Sequence, residues 1–277
     1  MADTHVSAAE PPKWRKIAFT AVTALAALVL IAGFGALFAL VSPWKIVTFG
    51  PSDPHPELHR WHSVQMAATF GLLFGGSLVA LVWRPEVKPV VAQFVGVGAV
   101  VFTAALVSFD PAVLVVLVMG VLVVVLYPAP RLLLVSPWTG PRRFSWPRLI
   151  VALLSAVFLA PDATEALRWQ IDGVGGEHAE LTHWGLAFGL ALLLVVAGLL
   201  AAGQRPGAGV LAAITGVTFL YLGVSALTIP DHDGSWGTSG GVLASLAGMV
   251  YLATSYVERR RGGWLLTAQR EGVPAGQ

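Results

Sequence analysis

The chain has 277 residues, of which 56% are hydrophobic and only 12% are charged. A soluble domain usually carries about 25% charged residues, so this composition excludes a soluble globular protein and a disordered chain. The net charge of +2 also excludes a nucleic-acid binder that relies on a basic face. Because cysteine is absent, disulfides, thiolate metal sites, iron–sulfur clusters and covalent c-type haem are excluded as well.

Long apolar stretches follow one another along the chain, and a helix needs about 20 apolar residues to cross a bilayer. Eight stretches qualify, which predicts an all-α integral membrane protein with eight transmembrane helices. The brief stretch 147–161 spans the bilayer only if its helix continues through Asp162 to Trp169. The predicted spans are 17–42, 61–83, 89–108, 112–128, 147–161, 181–203, 208–229 and 238–257.

Basic and acidic residues separate to opposite ends of these predicted spans. If the N-terminus is cytoplasmic, fourteen of the 17 basic residues fall in cytoplasmic segments and most acidic residues face outward. Lys and Arg are enriched in the cytoplasmic loops of membrane proteins, so both termini are expected inside. The excess of Arg over Lys, together with abundant Ala, Gly and Val, is typical of a high-GC bacterial genome. The sequence therefore predicts a multi-pass protein of the bacterial plasma (inner) membrane.

Three sequence features recur at an offset of 121 residues, which predicts an internal duplication. They pair His62 with His183, Arg84-Pro85 with Arg205-Pro206, and Asp110 with Asp231. Because each half contains four spans, the halves would be parallel repeats. The predicted organisation is a cytoplasmic segment 1–16, a first four-helix repeat 17–128, a Pro/Arg-rich cytoplasmic linker 129–147, a second repeat 148–257 and a cytoplasmic tail 258–277.

Six of the seven histidines fall on the predicted outer side, close to acidic residues. His59 and His62 are three residues apart and would share a helix face, and Glu180 and His183 repeat that spacing. Imidazole and carboxylate ligands suit Zn²⁺ or Cu²⁺. The sequence therefore offers His59, His62, Glu180 and His183 as a candidate metal site. Additional candidate ligands are His55, His178, Asp231 and His232.

The same residues are also typical interfacial anchors and helix caps, so several functions stay open. The leading interpretation is a non-enzymatic structural, assembly or small-ligand-binding component with an acidic, histidine-bearing outer face. The alternatives are handling or sensing of Zn or Cu, a redox protein with haem b, and a passive pore or transporter. The expected partners are the lipid bilayer and either a membrane-protein partner or a second copy of the chain, with no nucleic acid.

Overall fold

The computed structural model describes residues 12–46, 59–134 and 144–270, with side chains described as far as residue 260. Eight main helices are present in these ranges, and no β-strand is found there beyond an isolated bridge between Phe144 and Gly203. They are α1 Lys13–Gly33, α2 Arg60–Val82, α3 Pro89–Leu106, α4 Pro111–Leu126, α5 Trp146–Asp172, α6 His183–Ala202, α7 Ala208–Thr228 and α8 Gly237–Arg270. The all-helical prediction is confirmed for the described residues.

Seven of these helices are long and apolar enough to cross a membrane. The remaining helix, α4, is apolar but shorter than the others, and it falls short of the about 20 residues that a helix needs to cross a bilayer. It begins where Asp110 accepts a hydrogen bond from the backbone of Ala112 at 2.9 Å and where Pro111 fills the first helical position. The described residues therefore contain seven candidate spans and one shorter apolar helix, where the sequence predicted eight spans.

Three helix ends differ clearly from the sequence-based prediction, and one of them is the end of α8, which continues to Arg270 where the span was expected to end at 257. The first span was expected over 17–42, but α1 ends at Gly33 and Gly35 adopts a left-handed φ of 65°. A separate short helix, Ala36–Ala39, follows that break. In contrast, α5 extends through Pro161 to Asp172 and stops where Gly173 adopts a φ of 68°. The helix of the brief fifth span therefore continues past Trp169, which is the condition stated above for a helix long enough to cross the bilayer.

The helices pack in pairs around a continuous apolar core. In the first half of the chain α1 contacts α2 and α4, and α3 contacts α4. In the second half α5 contacts α6 and α8, and α7 contacts α8. The halves meet where α2 packs on α7 and α6 packs on α3, and where α2 and α6 touch each other. The centre of α2 is widened into a π-helical stretch over Ala67–Gly75, a feature often found near functional sites.

The close contact between α7 and α8 depends on glycines that face each other. A Cβ atom on Gly223 would lie 2.7 Å from the carbonyl oxygen of Gly241, and one on Gly241 would lie 2.9 Å from that of Gly223. No side chain fits at such a distance, so the two backbones touch directly. Small residues at helix interfaces allow this close approach in membrane proteins.

One end of the bundle brings together the beginnings of α2 and α6, and we call it the histidine end. The rings of His62 and His183 stack there with centroids 4.5 Å apart. Gly234, in the turn before α8, lies against Trp184 and Trp61, where an added Cβ would come within 3.0 and 3.5 Å of their rings. The C-terminal end of α5 lies at the histidine end, whereas Arg148 lies near the start of α5, at the other end of the bundle.

Candidate metal site

Four histidines from three chain segments meet at the histidine end. His59 and His62 belong to the start of α2, His178 to the short helix Glu177–Glu180, and His183 is the first residue of α6. We call these four residues the histidine cluster. Adjacent imidazole centroids lie 4.5 to 5.5 Å apart.

The start of α2 fixes the first two histidines. His59 is the residue before the helix, and its carbonyl oxygen accepts from both the backbone N–H and the hydroxyl of Ser63, at 2.9 and 3.0 Å. Arg60 donates to the carbonyl oxygens of Ser42 and Pro43, which ties this helix start to the segment after α1. His59 and His62 are buried, with 8% and 2% of their surface exposed. Their positions are therefore set by backbone and neighbouring contacts.

A sharp reversal of the chain brings in the other two histidines. Gly173, Gly175 and Gly176 all have positive φ, so the chain turns back after α5. Thr182 also adopts a left-handed φ of 59°, which separates the short helix from α6. Because of that break, Glu180 and His183 do not lie on one helix, and the shared face expected from their spacing is not formed. His178 instead lies beside His183.

Gln170 holds this reversal in place through both ends of its carboxamide. Its Nε2 donates to the carbonyl oxygen of Ala179 at 2.8 Å, and its Oε1 accepts from the backbone N–H of Gly185 at 2.9 Å. The indole of Trp184 adds a hydrogen bond to the carbonyl oxygen of Val174 at 3.0 Å. The short helix that carries His178 is thereby attached to the end of α5 and to the start of α6.

Three members of the cluster can offer one nitrogen each to a common point. The ligand nitrogens of His59, His178 and His183 all lie within 4.8 Å of one another. The Nδ1 atoms of His178 and His183 are 3.3 Å apart, so that in the absence of an ion one ring can donate a hydrogen bond to the other. In a tetrahedral site with bonds of about 2.0–2.1 Å, adjacent ligand nitrogens are separated by about 3.3 Å. This pair already has the spacing that a tetrahedral ion requires.

His62 occupies a different place in the cluster. Its Nδ1 lies 3.2 Å from Oε1 of Gln65, an acceptor, so the proton is on Nδ1 and Nε2 keeps its lone pair. That Nε2 is buried and has no hydrogen-bond partner among the described residues. Metal-bound histidines commonly donate their other ring nitrogen to an oxygen in this way. His62 therefore has the hydrogen-bonding pattern of a ligand while lying outside the group of three.

The surroundings favour neutral imidazoles, the form that binds metal. Burial lowers the pKa of His178, and the adjacent His59 lowers it further, against an opposing effect of Asp233 and Glu177. Trp184 stacks edge-on to His62 and lies 5.4 Å from the ring of His178. A neutral, partly dehydrated group of imidazoles is suited to receive a cation.

The remaining candidates that the structure describes, Glu180, Asp231 and His232, are not part of the close group of three. Glu180 is exposed, and the close group of ligand atoms does not include it. Asp231 and His232 lie in the turn before α8, where burial and the charge of Arg60 lower the pKa of His232. Asp231 lies six positions before α8 and is not its capping residue. His55 lies outside the described residues.

Sequence reasoning missed one buried charge far from the histidines. The side chain of Arg148 is fully buried and forms an ion pair with Glu258 at 2.7 Å. It also donates to Thr254, Ser255 and the carbonyl oxygen of Ala201. The polar residues at 254, 255 and 258, whose i, i+1, i+4 spacing places them on one face of α8, were the signal available in the sequence. This network joins α5, α6 and α8 and carries no feature of a ligand site.

Comparison of the chain with family models, with curated proteins and with solved structures finds no match in any of the three. The functional argument therefore rests on the geometry of the histidine end.

Proposed function

We propose that this chain is a multi-pass membrane protein that binds one divalent transition-metal ion, Zn²⁺ or Cu²⁺, through His59, His178 and His183. The observation that carries the proposal is the convergence of three histidine nitrogens within 4.8 Å of one another. Imidazole is a preferred ligand of both ions. Three protein ligands leave a fourth coordination position for water or for another group.

His62 strengthens the proposal in two ways. Its unpartnered buried Nε2 is a second nitrogen donor next to the group, and its ring lies 4.5 Å from that of His183. An unsatisfied buried polar atom costs free energy, and coordination to an ion would remove that cost. We propose that His62 completes the fourth position when the ion is bound.

The alternative functions receive less support from the geometry. The imidazole rings contact one another, so no space for a haem macrocycle separates them. The hydroxyls of Thr215, Thr218 and Ser225 in α7 donate back to carbonyl oxygens one turn earlier, which disfavours a polar path along this helix. We therefore favour metal handling or sensing over haem chemistry and passive transport.

We place the histidine end on the extracytoplasmic side of a bacterial plasma membrane, with both termini inside. The distribution of basic residues supports this orientation, because most lie in segments at the other ends of the helices. The metal would then be taken from, or sensed in, the medium outside the cytoplasm.

We also propose that the helices form two four-helix repeats, 17–128 and 148–257. The packing supports this, because each contact within the first half has its counterpart in the second: α1–α2 with α5–α6, α3–α4 with α7–α8, and α1–α4 with α5–α8. His62 and His183, which the offset of 121 makes equivalent, stack on each other. In this arrangement the metal site lies where the two repeats meet.

The test measures metal affinity of the purified, chelator-treated protein by titration with Zn²⁺ and with Cu²⁺. We expect one ion per chain, and loss of at least about 100-fold in affinity when His178 and His183 are both replaced by Ala, because two of the four proposed ligands are removed. His232→Ala is the matched control, since it removes a histidine near the same end that is not in the group.

Glu180→Gln separates this proposal from the site that the sequence alone indicated. We expect this variant to bind metal as the wild type does, because Glu180 is exposed and outside the close group. Absence of stoichiometric binding by the wild type, or equal binding by the His178→Ala/His183→Ala variant, would refute the metal site.

A further inference from the structure

Two adjacent cavities open along one face of α5, and the smaller one is bordered by Gln65 and Trp184, which contact His62. The larger has a volume of about 490 Å³ and is almost entirely apolar. It lies between α5 and α8, and its walls include Val151, Leu154, Phe158, Leu243, Ala247 and Val250. The smaller, of about 140 Å³, contains acidic and amide groups. Both are lined by Leu159 and Trp236, so they adjoin each other.

The two cavities follow a single stripe of α5 that changes from apolar to acidic. Val151, Ser155 and Phe158 line the large cavity, and Asp162, Glu165 and Trp169 line the small one. These positions are three or four residues apart and therefore lie on one helix face. Asp162 is about 24 Å along the helix from Trp146, and so lies toward the histidine end.

The acidic end of this stripe has the surroundings of a lipid headgroup region. Trp169, Trp184 and Trp236 surround the small cavity, and tryptophan is enriched where a membrane meets water. Neither Asp162 nor Glu165 has a hydrogen bond or ion pair with any residue in the described part of the chain. Gln65, which is 2% exposed, also borders this cavity. The cavity thus offers two carboxyl groups that have no partner among the described residues, together with the buried amide of Gln65, whose oxygen already faces Nδ1 of His62.

We propose that this groove binds a phospholipid with an amine headgroup, phosphatidylethanolamine, taken from the surrounding bilayer. One acyl chain occupies the apolar cavity between α5 and α8, and the ammonium group lies against Asp162 and Glu165. The carboxylates select this headgroup because a primary ammonium donates hydrogen bonds to them, whereas the methylated ammonium of phosphatidylcholine has no N–H to donate. Binding involves no bond making or breaking.

The test reconstitutes the full chain into nanodiscs that contain equal amounts of phosphatidylethanolamine and phosphatidylcholine with identical acyl chains. Native mass spectrometry after release then measures the ratio of the two lipids retained on the protein. We expect retention to favour phosphatidylethanolamine. The Asp162→Asn/Glu165→Gln variant should lower that ratio about tenfold, since it removes two charge-assisted contacts. Asp172→Asn is the matched control, because it removes an exposed carboxylate of the same helix that does not line the groove.

A second variant tests the acyl-chain cavity. Ala247→Trp fills the groove and should remove both lipids, whereas Val217→Trp, at an exposed position of α7 outside the groove, should not. If Ala247→Trp fails to fold, lipids with brominated acyl chains test the same cavity in the wild type, because bromine in the cavity would quench the fluorescence of Trp236. The contribution of Trp236 is the difference in quenching between the wild type and the Trp236→Phe variant.

Equal retention of the two lipids by the wild type would overturn the headgroup assignment and would indicate nonspecific annular lipid. No loss of lipid in a folded Ala247→Trp variant, or no quenching of Trp236, would overturn the acyl-chain site. Metal binding should be unchanged in the Ala247→Trp and Val217→Trp variants, which change positions on α8 and α7 away from the histidine cluster.

Discussion

At the scale of single residues, the histidine cluster depends on backbone turns that the spacing of histidines does not reveal. His59, His62 and His183 could be selected from the sequence because they fall near the predicted starts of apolar helices. The contribution of His178 depends on the glycine turn after α5 and on the left-handed Thr182. Helical periodicity assumes an unbroken helix, so it selected Glu180 in place of His178. Tertiary contacts of Gln170 decide which of the two side chains reaches the cluster.

The buried Arg148 is the other feature at this scale, and it leads to a stability prediction. Replacing Glu258 by Ala leaves the guanidinium without its carboxylate, although contacts to Thr254 and to Ala201 remain. Breaking a buried ion pair costs about 3–5 kcal/mol and a surface pair less than about 1. Because the Glu258 side chain is 35% exposed, we expect an intermediate loss of about 2 kcal/mol.

Thermal unfolding in detergent measures this loss as a fall in Tm of about 5 °C. The matched control is Arg259→Gln, which removes the adjacent exposed charge on the same helix and should change Tm little. An unchanged Tm in Glu258→Ala would mean that the ion pair contributes nothing to stability.

At the scale of helices, hydropathy located the long elements because their length is set by the apolar stretch itself. The predicted spans 61–83, 89–108 and 208–229 agree closely with α2, α3 and α7. The end of α1 was not predicted, because Gly35 lies in apolar sequence and its left-handed backbone carries no hydropathy signal. The sequence also did not predict that α5 continues through Pro161; it indicated only that the fifth helix would have to continue in order to span the bilayer. Local propensity disfavours proline inside a helix, and packing against α6 and α8 overrides it.

The glycine contact between α7 and α8 gives a prediction at this scale. Gly223→Val should destabilise the protein strongly, because its side chain would collide with the backbone of Gly241. We expect a loss of about 3 kcal/mol or more, measured by thermal unfolding, since overpacking of a tight interface forces helices apart. Gly209→Ala is the control on the same helix, because the nearest atom to its added methyl group is 3.9 Å away.

The control should be neutral or slightly stabilising, because alanine is the better helix former. Equal destabilisation by both substitutions would show that loss of glycine anywhere in α7, rather than the contact with α8, determines the effect.

At the scale of the whole molecule, the orientation proposed from charge can be tested directly because the natural chain has no cysteine. Single variants Glu177→Cys, at the histidine end, and Glu86→Cys, in the turn between α2 and α3, place one thiol on each side. A membrane-impermeant maleimide should label the first in intact bacterial cells. The second should react only after the membrane is permeabilised.

The cysteine-free wild type provides the background signal in the same assay. Labelling of Glu86→Cys but not of Glu177→Cys in intact cells would reverse the orientation and place the histidine end in the cytoplasm.

The composition of the histidine cluster has a further consequence for the architecture. Of the four proposed ligands, His59 and His62 come from the first half of the chain, and His178 and His183 come from the second. An ion bound there would link the two halves of the chain. Because it would bind only the folded protein, it would raise the free energy of unfolding. That contribution is about 2.7 kcal/mol when the free ion is at one hundred times its dissociation constant. The stability of the contact between the two halves would then increase with the concentration of free metal ion outside the cell.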